Sequence, residues 1–254
     1  MTFASLEFDG NVALLMFSNG AANYFSGELL NEVADLMEQA ADRGARSLVL
    51  HSKGKHFCAG ADFSSIGDRV VDRATLADAA YAAGMRIYRQ RLPVVAAVQG
   101  AAIGGGLGLA CAADFRVVTP STRLEANFTK LGFHPGFGLS AALPRIVGGQ
   151  QAQSLLMTSR RVSGADAMVL GLADYLADED TLLPAATRFA RAIADLAPLA
   201  VQAVKATVRK QLIAEVESVL QHEASEQRRL WASEDAAIGL AAAKARAVPQ
   251  FVGR

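Results

Sequence analysis

The sequence predicts an α/β fold with a largely parallel sheet. Three observations carry that prediction. Short apolar runs at residues 3–8, 12–18, 47–51, 94–98 and 115–118 read as strands, and helical patterns separate most of them. Strand–helix–strand order needs crossover connections, which join parallel strands. From Leu139 onward strand signals nearly vanish, apart from residues 172–177, and helical periodicity takes over.

The elements follow in order. Asp9-Gly10-Asn11 separates the first two strands as a hairpin turn. Asn19-Gly20 opens a loop carrying Ala22 and Tyr24. Ser26 is an N-cap, followed by Leu29, Val33, Leu36, Met37 and Ala40 at helical spacing, and Gly44 stops that helix. A loop at 52–62 follows the third strand. Thr75 with Asp78 resembles a capping box, so a helix is expected from there to about Arg91. Later helices are expected at 149–157, 164–169 behind Ser163, 181–196, 199–212, 215–231 and 234–247. A soft boundary falls near residue 195. Leu199, Val201, Val204, Val208 and Leu212 place apolar groups on more than one helix face, which suits packing against a neighbouring subunit.

Composition narrows the function classes. With 254 residues, 52% apolar, the chain can bury a sizeable core. Basic and acidic residues balance at 25 each, which removes a chain-wide electrostatic case for nucleic acid or an anionic membrane. Cys58 and Cys111 have neither metal-ligand spacing nor a disulfide framework. No basic segment precedes an apolar run at the N-terminus, so a cytoplasmic protein without a signal peptide is expected.

The stretch from Leu92 to Phe115 is the most informative. The apolar strand 94–98 ends at Gln99-Gly100. Gly104, Gly105, Gly106 and Gly108 then lead into small apolar residues that continue as a close-packed helix. The first N–H groups of a helix have no partner inside it, and the dipole there favours negative charge. Glycine lets a ligand approach that backbone. An anion or oxyanion site is one reading. A transmembrane span fits poorly with Pro93 and the glycines, the strict G-x-G-x-x-G spacing of a dinucleotide loop is unmatched, and a close-packed strand–helix corner is the alternative.

Two segments taken together resemble one family. Phe57-Cys-Ala-Gly-Ala-Asp62 is similar to the F-x-A-G-x-D loop of the crotonase (enoyl-CoA hydratase/isomerase) superfamily. Gly100-Ala-Ala-Ile-Gly-Gly-Gly-Leu-Gly108, ending at Asp114, is similar to its glycine turn and following helix. Residues 132–145, with Pro135, Gly136 and Pro144-Arg145, and the tail Val248-Pro-Gln-Phe-Val-Gly-Arg254 fit as well. The resemblance spans essentially the whole chain. It implies a spiral of ββα units over 1–195 holding an acyl-CoA site, and a helical region over 196–254 that builds a homotrimer or a dimer of trimers. It implies an acyl-CoA thioester as substrate, with coenzyme A as part of that substrate and no separate cofactor or metal. Ala61 and Gly105 would hold the thioester oxygen through their backbone N–H groups.

The chain departs from the family where hydratases carry two glutamates: those positions read Gly108 and Phe128. Hydration needs a base for water and an acid for the α-carbon. His134 is the candidate replacement, since an imidazole titrates near neutrality. Glu125, three residues before Phe128, has opposite parity if 123–127 is a strand, and Asp62 reads as a loop organiser. Ala22, Tyr24, Ala59, Asp62, Phe63, Ile66, Gly104, Phe128 and Phe133 are candidate substrate contacts, with Phe137 adding to an apolar pocket. Lys53, Lys55, His56, Lys244 and Phe251 are candidate CoA contacts. Tyr81, Tyr88 and Asp68 read as structural or surface groups, and Cys58 as a buried inert thiol. The expected function is enolate chemistry on an acyl-CoA: hydration, double-bond shift, decarboxylation or C–C cleavage. The alternative is a catalytically inactive acyl-CoA-binding protein.

Overall fold

A computed structural model describes residues 3–61 and 70–254. Strands β1 (Ala4–Asp9) and β2 (Val12–Phe17) form the expected antiparallel hairpin, with Gly10 in the left-handed region at φ +60°. Helix α1 (Gly27–Asp42) starts where Ser26 accepts the N–H of Leu29. Then come β3 (Ser47–Ser52), α2 (Val70–Tyr88), β4 (Val94–Val98), β5 (Ala101–Ile103), α3 (Gly105–Ala112), β6 (Phe115–Val118) and β7 (Arg123–Glu125). The second half holds α4 (Leu139–Val147), α5 (Gly149–Thr158), β8 (Val162–Ser163), α6 (Gly164–Val169), β9 (Tyr175–Leu176), α7 (Leu182–Ala194), α8 (Pro198–Trp231) and α9 (Glu234–Ala245).

The larger sheet runs β1-β2-β3-β4-β6-β9 and is parallel after its first pair; the smaller runs β5-β7-β8. Strand parity divides the core in two. Ala13, Leu15, Phe17, Leu48, Leu50, Ala96 and Val98 face α1 and α3, whereas Val12, Val49, Val95, Ala97 and Val117 face α7. A central parallel strand covered on both faces therefore reads as an unbroken apolar run, as 94–98 does.

Several expectations are corrected. Thr75 lies inside α2, which is described from Val70; an S/T-x-x-D pattern does not start a helix where an alanine-rich helical sequence already runs through it. That helix ends at Tyr88 rather than Arg91, because the chain must turn extended ahead of Pro93. Residues 199–212 and 215–231 belong to one 34-residue helix, α8, since no glycine or proline interrupts the chain after Pro198. A helix also runs over 139–147, and Pro144 sits within it at the cost of one backbone bond. Three residues of strand, β5, intervene between Gly100 and the glycine turn. The strand signal at 172–177 reduces to β9, and β7 stops at Glu125, so Phe128 adopts helical backbone angles and strand parity does not relate it to Glu125. Among the described residues, no helix is long and apolar enough to cross a membrane.

Helix α8 is docked by buried ions. Asp114, just after α3, accepts from Lys205 Nζ and Arg209 Nη1, each at 2.7 Å, and from the Val94 N–H at 2.7 Å. Lys205 also donates to the Leu92 carbonyl, and Arg209 to that of Ala112. Burial alone would raise the Asp114 carboxyl; the two cations hold it below its ordinary value.

Candidate active site

The segment Phe57–Ala61 lies between two neighbours. On one side the Ala59 N–H donates to the Ala22 carbonyl and the Phe25 N–H to that of Gly60. On the other, the N–H groups of Phe57 and Cys58 donate to the carbonyls of Gln99 and Ala101, and Cys58 accepts from Ile103. Phe25 and Ala61 form a parallel bridge, in which the Gly60 carbonyl accepts from Phe25. The N–H of Ala61 itself therefore points away from Phe25.

The glycine turn follows from close approach. Gly104, at φ +56°, donates to the Glu125 carbonyl, and α3 begins at Gly105, whose N–H has no acceptor within the helix. A Cβ on Gly106 would overlap the Cys58 carbonyl, so only glycine lets the two loops meet there. Gly60 is at φ +90°, and a Cβ on it would lie 3.6 Å from Gly105 N. The same Cβ would lie 2.8 Å from the Ile103 carbonyl, so the backbone just ahead of Ala61 lies against the turn from Ile103 to the Gly105 amide.

The loop ahead of this pair is fixed by side chains. Asn23, fully buried at φ +49°, donates to the carbonyls of Lys53 and His56, each at 2.7 Å. Gln99 Nε2 donates to the Ser52 carbonyl, and Ser52 Oγ to that of His56. Lys53 and Lys55 extend into solvent. His56 Nδ1 is buried without a partner; burial, then Arg123 and Lys55, lower its pKa. Tyr24 is partly exposed at the same edge.

Aromatic rings build the opposite wall. A Cβ on Gly105 would overlap the Phe25 ring, and one on Gly108 would lie 2.9 Å from Phe137 Cβ. The Phe25 and Phe137 ring centroids are 5.6 Å apart. Phe128 lies against the turn, its Cζ 3.8 Å from a Cβ built on Gly104, and stacks edge-on with Phe133, which meets Trp231 in the same way. Phe137 is held at φ +63°, an unusual conformation for a bulky residue.

Helices α2 and α8 pin that loop. Tyr88 Oη donates to the Phe137 carbonyl at 3.3 Å, Gln227 Nε2 donates to the His134 carbonyl at 2.9 Å, and Gln227 Oε1 accepts from Tyr81 Oη. Glu223 accepts the N–H groups of Gly138 and Ser140 at 2.8 and 3.0 Å. Burial pushes its carboxyl up to about 7, against the opposing pull of those donors.

The structure places the remaining candidates as follows. His134 is half-buried; its Nδ1 is 2.8 Å from the Pro135 carbonyl, and its ring meets His222 of α8 edge-on. A donating Nδ1 leaves Nε2 as the basic nitrogen. Glu125 is buried between Lys130 Nζ at 2.6 Å and Arg161 Nε at 2.9 Å, a structural role. The Cys58 thiol is fully buried and raised to about 12, as an inert group would be. Lys244 is exposed in the last turn of α9. Phe251 borders a cavity of ≈ 360 Å³ with Thr129, Gly132 and Arg229, on the far side of Phe128 in the chain. Asp62, Phe63, Ile66 and Asp68 lie outside the described residues. Among the described residues, no group of three or more His, Cys, Asp or Glu could hold a metal ion. Phe25, Asn23, Glu223 and Gln227 escaped sequence reasoning. Asn23, a loop Asn, carried a weak turn signal; nothing local marked Glu223, whose partners are more than eighty residues away.

The chain is similar to known proteins along nearly its whole length. The sequence pattern of the family described as enoyl-CoA hydratase/isomerase matches residues 7–254. A Bacillus subtilis protein named "Probable enoyl-CoA hydratase" is 33% identical over 258 residues, covering 100% of both chains. The human "Enoyl-CoA hydratase domain-containing protein 2, mitochondrial" is 34% identical, covering 93% of this chain and 82% of that protein. The crystal structure of an enoyl-CoA hydratase/isomerase from Pseudoalteromonas atlantica superposes with a TM-score of 0.87 at 26% identity, covering 98% of this chain and 99% of that one. The chain belongs to the enoyl-CoA hydratase/isomerase family, within the crotonase superfamily.

Proposed function

We propose that this chain is an enzyme of enolate chemistry on an acyl-CoA thioester, with the N–H groups of Ala61 and Gly105 receiving the thioester oxygen. The observation that carries the reading is the packing of Gly60 against the Gly105 amide, with bare backbone on both loops. Loss of a proton from the α-carbon, or of CO2 from an α-carboxylate, leaves an electron pair that moves onto that oxygen. Donors fixed beforehand stabilise the charge without reorganising. Family membership supports the substrate class, coenzyme A entering as part of the substrate with no further cofactor.

Hydration through two carboxylates has no counterpart at Gly108 and Phe128. The space beside Gly108 holds Phe137, and Phe128 presents a phenyl ring to the turn. Double-bond shift, decarboxylation or C–C cleavage needs fewer charged groups and fits better. His134 is the acid/base, through Nε2. Lys53, Lys55 and His56, with Lys244 and Phe251 supplied from the C-terminal region, serve the CoA phosphates and adenine. The test presents enoyl-, β-hydroxyacyl- and malonyl-type CoA thioesters and follows products by mass spectrometry. Wild type is expected to convert at least one, and His134→Ala to lose about 10²–10⁴-fold in turnover with binding retained. Unchanged turnover removes His134 from the mechanism. Binding without any product favours the second reading, an acyl-CoA-binding protein, which the absent carboxylates support.

The reading extends to assembly. Leu199, Val204 and Val208 of α8 are 62–80% exposed, an apolar face suited to a neighbouring copy. A trimer or a dimer of trimers is expected in sizing experiments, with residues 196–254 forming the contacts. A monomer would overturn it.

A further inference from the structure

Three features of the loop carrying Phe137 converge on one purpose. Phe137 is held at φ +63°, where a phenylalanine is strained and a glycine would not be. Two elements facing it are stripped to glycine: a Cβ on Gly84 of α2 would lie 3.0 Å from Phe137 Cζ, and one on Gly108 of α3 2.9 Å from Phe137 Cβ. Separate anchors hold the strained backbone, Tyr88 on its carbonyl and Glu223 on the following N–H groups. A side chain kept at such cost, in a slot cut by two glycines, is placed for a reason other than packing economy.

Its position suggests the reason. Gly105 and Gly108 share one face of α3, three residues or ~4.5 Å apart along the axis. The Phe25 ring covers the first and the Phe137 ring the second. We propose that Phe137 is a specificity-determining residue, a stop that limits the acyl group to a short chain. This rests on the reading that the Gly105 N–H receives the thioester oxygen. An acyl chain running from that point along α3 meets the Phe137 ring after roughly three or four carbon–carbon bonds. Longer linear chains must displace a ring that Gly84, Gly108 and Phe25 enclose.

The test measures direct binding of butanoyl-, octanoyl- and dodecanoyl-CoA by calorimetry, with CoA alone as reference; these saturated thioesters keep the readout independent of turnover. Wild type is expected to bind butanoyl-CoA at least about tenfold more tightly than the two longer thioesters. Phe137→Gly accepts the left-handed backbone and removes the stop, so the octanoyl-to-butanoyl affinity ratio should rise by about tenfold or more. CoA alone should bind both proteins equally. Phe137→Leu shortens the ring while retaining much of its bulk and should shift the ratio in the same direction by less; it decides the matter if the glycine variant does not fold. Wild type binding dodecanoyl-CoA as tightly as butanoyl-CoA, or an unchanged ratio in a folded variant, overturns the proposal and leaves the acyl-CoA reading standing. Failure of wild type to bind any of the thioesters overturns that reading itself, and this one with it.

Discussion

Gly105→Val should abolish turnover on acyl-CoA thioesters, with a loss of at least about 10²–10³-fold, the scale for removing one oxyanion donor. Even the first carbon of a side chain at this position would overlap the Phe25 ring. The ring must move or the helix start must back away, and either displaces the N–H from its place beside Gly60. The two branched methyl groups then occupy the approach to that N–H. Steady-state kinetics on whichever thioester wild type converts would measure the effect, with far-UV circular dichroism confirming the fold. Gly105→Ala should fall between the two, because one carbon displaces the ring less than three. A folded Gly105→Val protein with normal turnover would end the assignment of this amide.

Asp114→Ala should cost roughly 3–5 kcal/mol of folding stability, the range for breaking a buried ion pair by removing one partner. Lys205 and Arg209 would keep their burial and lose their anion, and the Val94 N–H would lose its acceptor. Desolvation without compensation outweighs the relief of removing one buried charge. Urea unfolding followed by tryptophan fluorescence would read the change, since Trp231 ends the helix these residues dock. A loss below about 1 kcal/mol would mean that the cluster is solvated and contributes like a surface pair. Arg209→Met should be milder, because Lys205 remains to neutralise the carboxylate.

Much of the fold was legible because its signals are local. Ser26 caps α1 as its position ahead of a periodic run suggested, and Ser163 caps α6 by accepting the Asp166 N–H. The run 94–98 is a strand buried on both faces, as its unbroken apolar letters implied. The glycine turn was legible for a similar reason, since a close backbone approach admits only one residue type. The misreadings share a cause as well. Thr75 carries a boundary signal that the helical sequence around it overrode, and α8 was split where nothing in the letters required a break. The site's outer wall was less legible. Phe137 could be named as apolar, but its strained backbone and its slot between Gly84 and Gly108 are properties of three distant segments. Glu223 gave no sign, because a buried carboxylate that caps a remote loop looks in sequence like any solvated helix glutamate.

Helix α8 has one further consequence. It is an unbroken rod of about 50 Å, clamped near one end at Lys205 and Arg209 and gripping the His134–Ser140 loop near the other through Glu223 and Gln227. Its exposed apolar residues, Leu199, Val204 and Val208, flank the clamped end. A stiff lever of this kind carries a tilt at one end to the other instead of absorbing it in a hinge. The ion cluster at Asp114 and the backbone that sets the Phe137 ring against Gly108 are therefore joined through one rigid element.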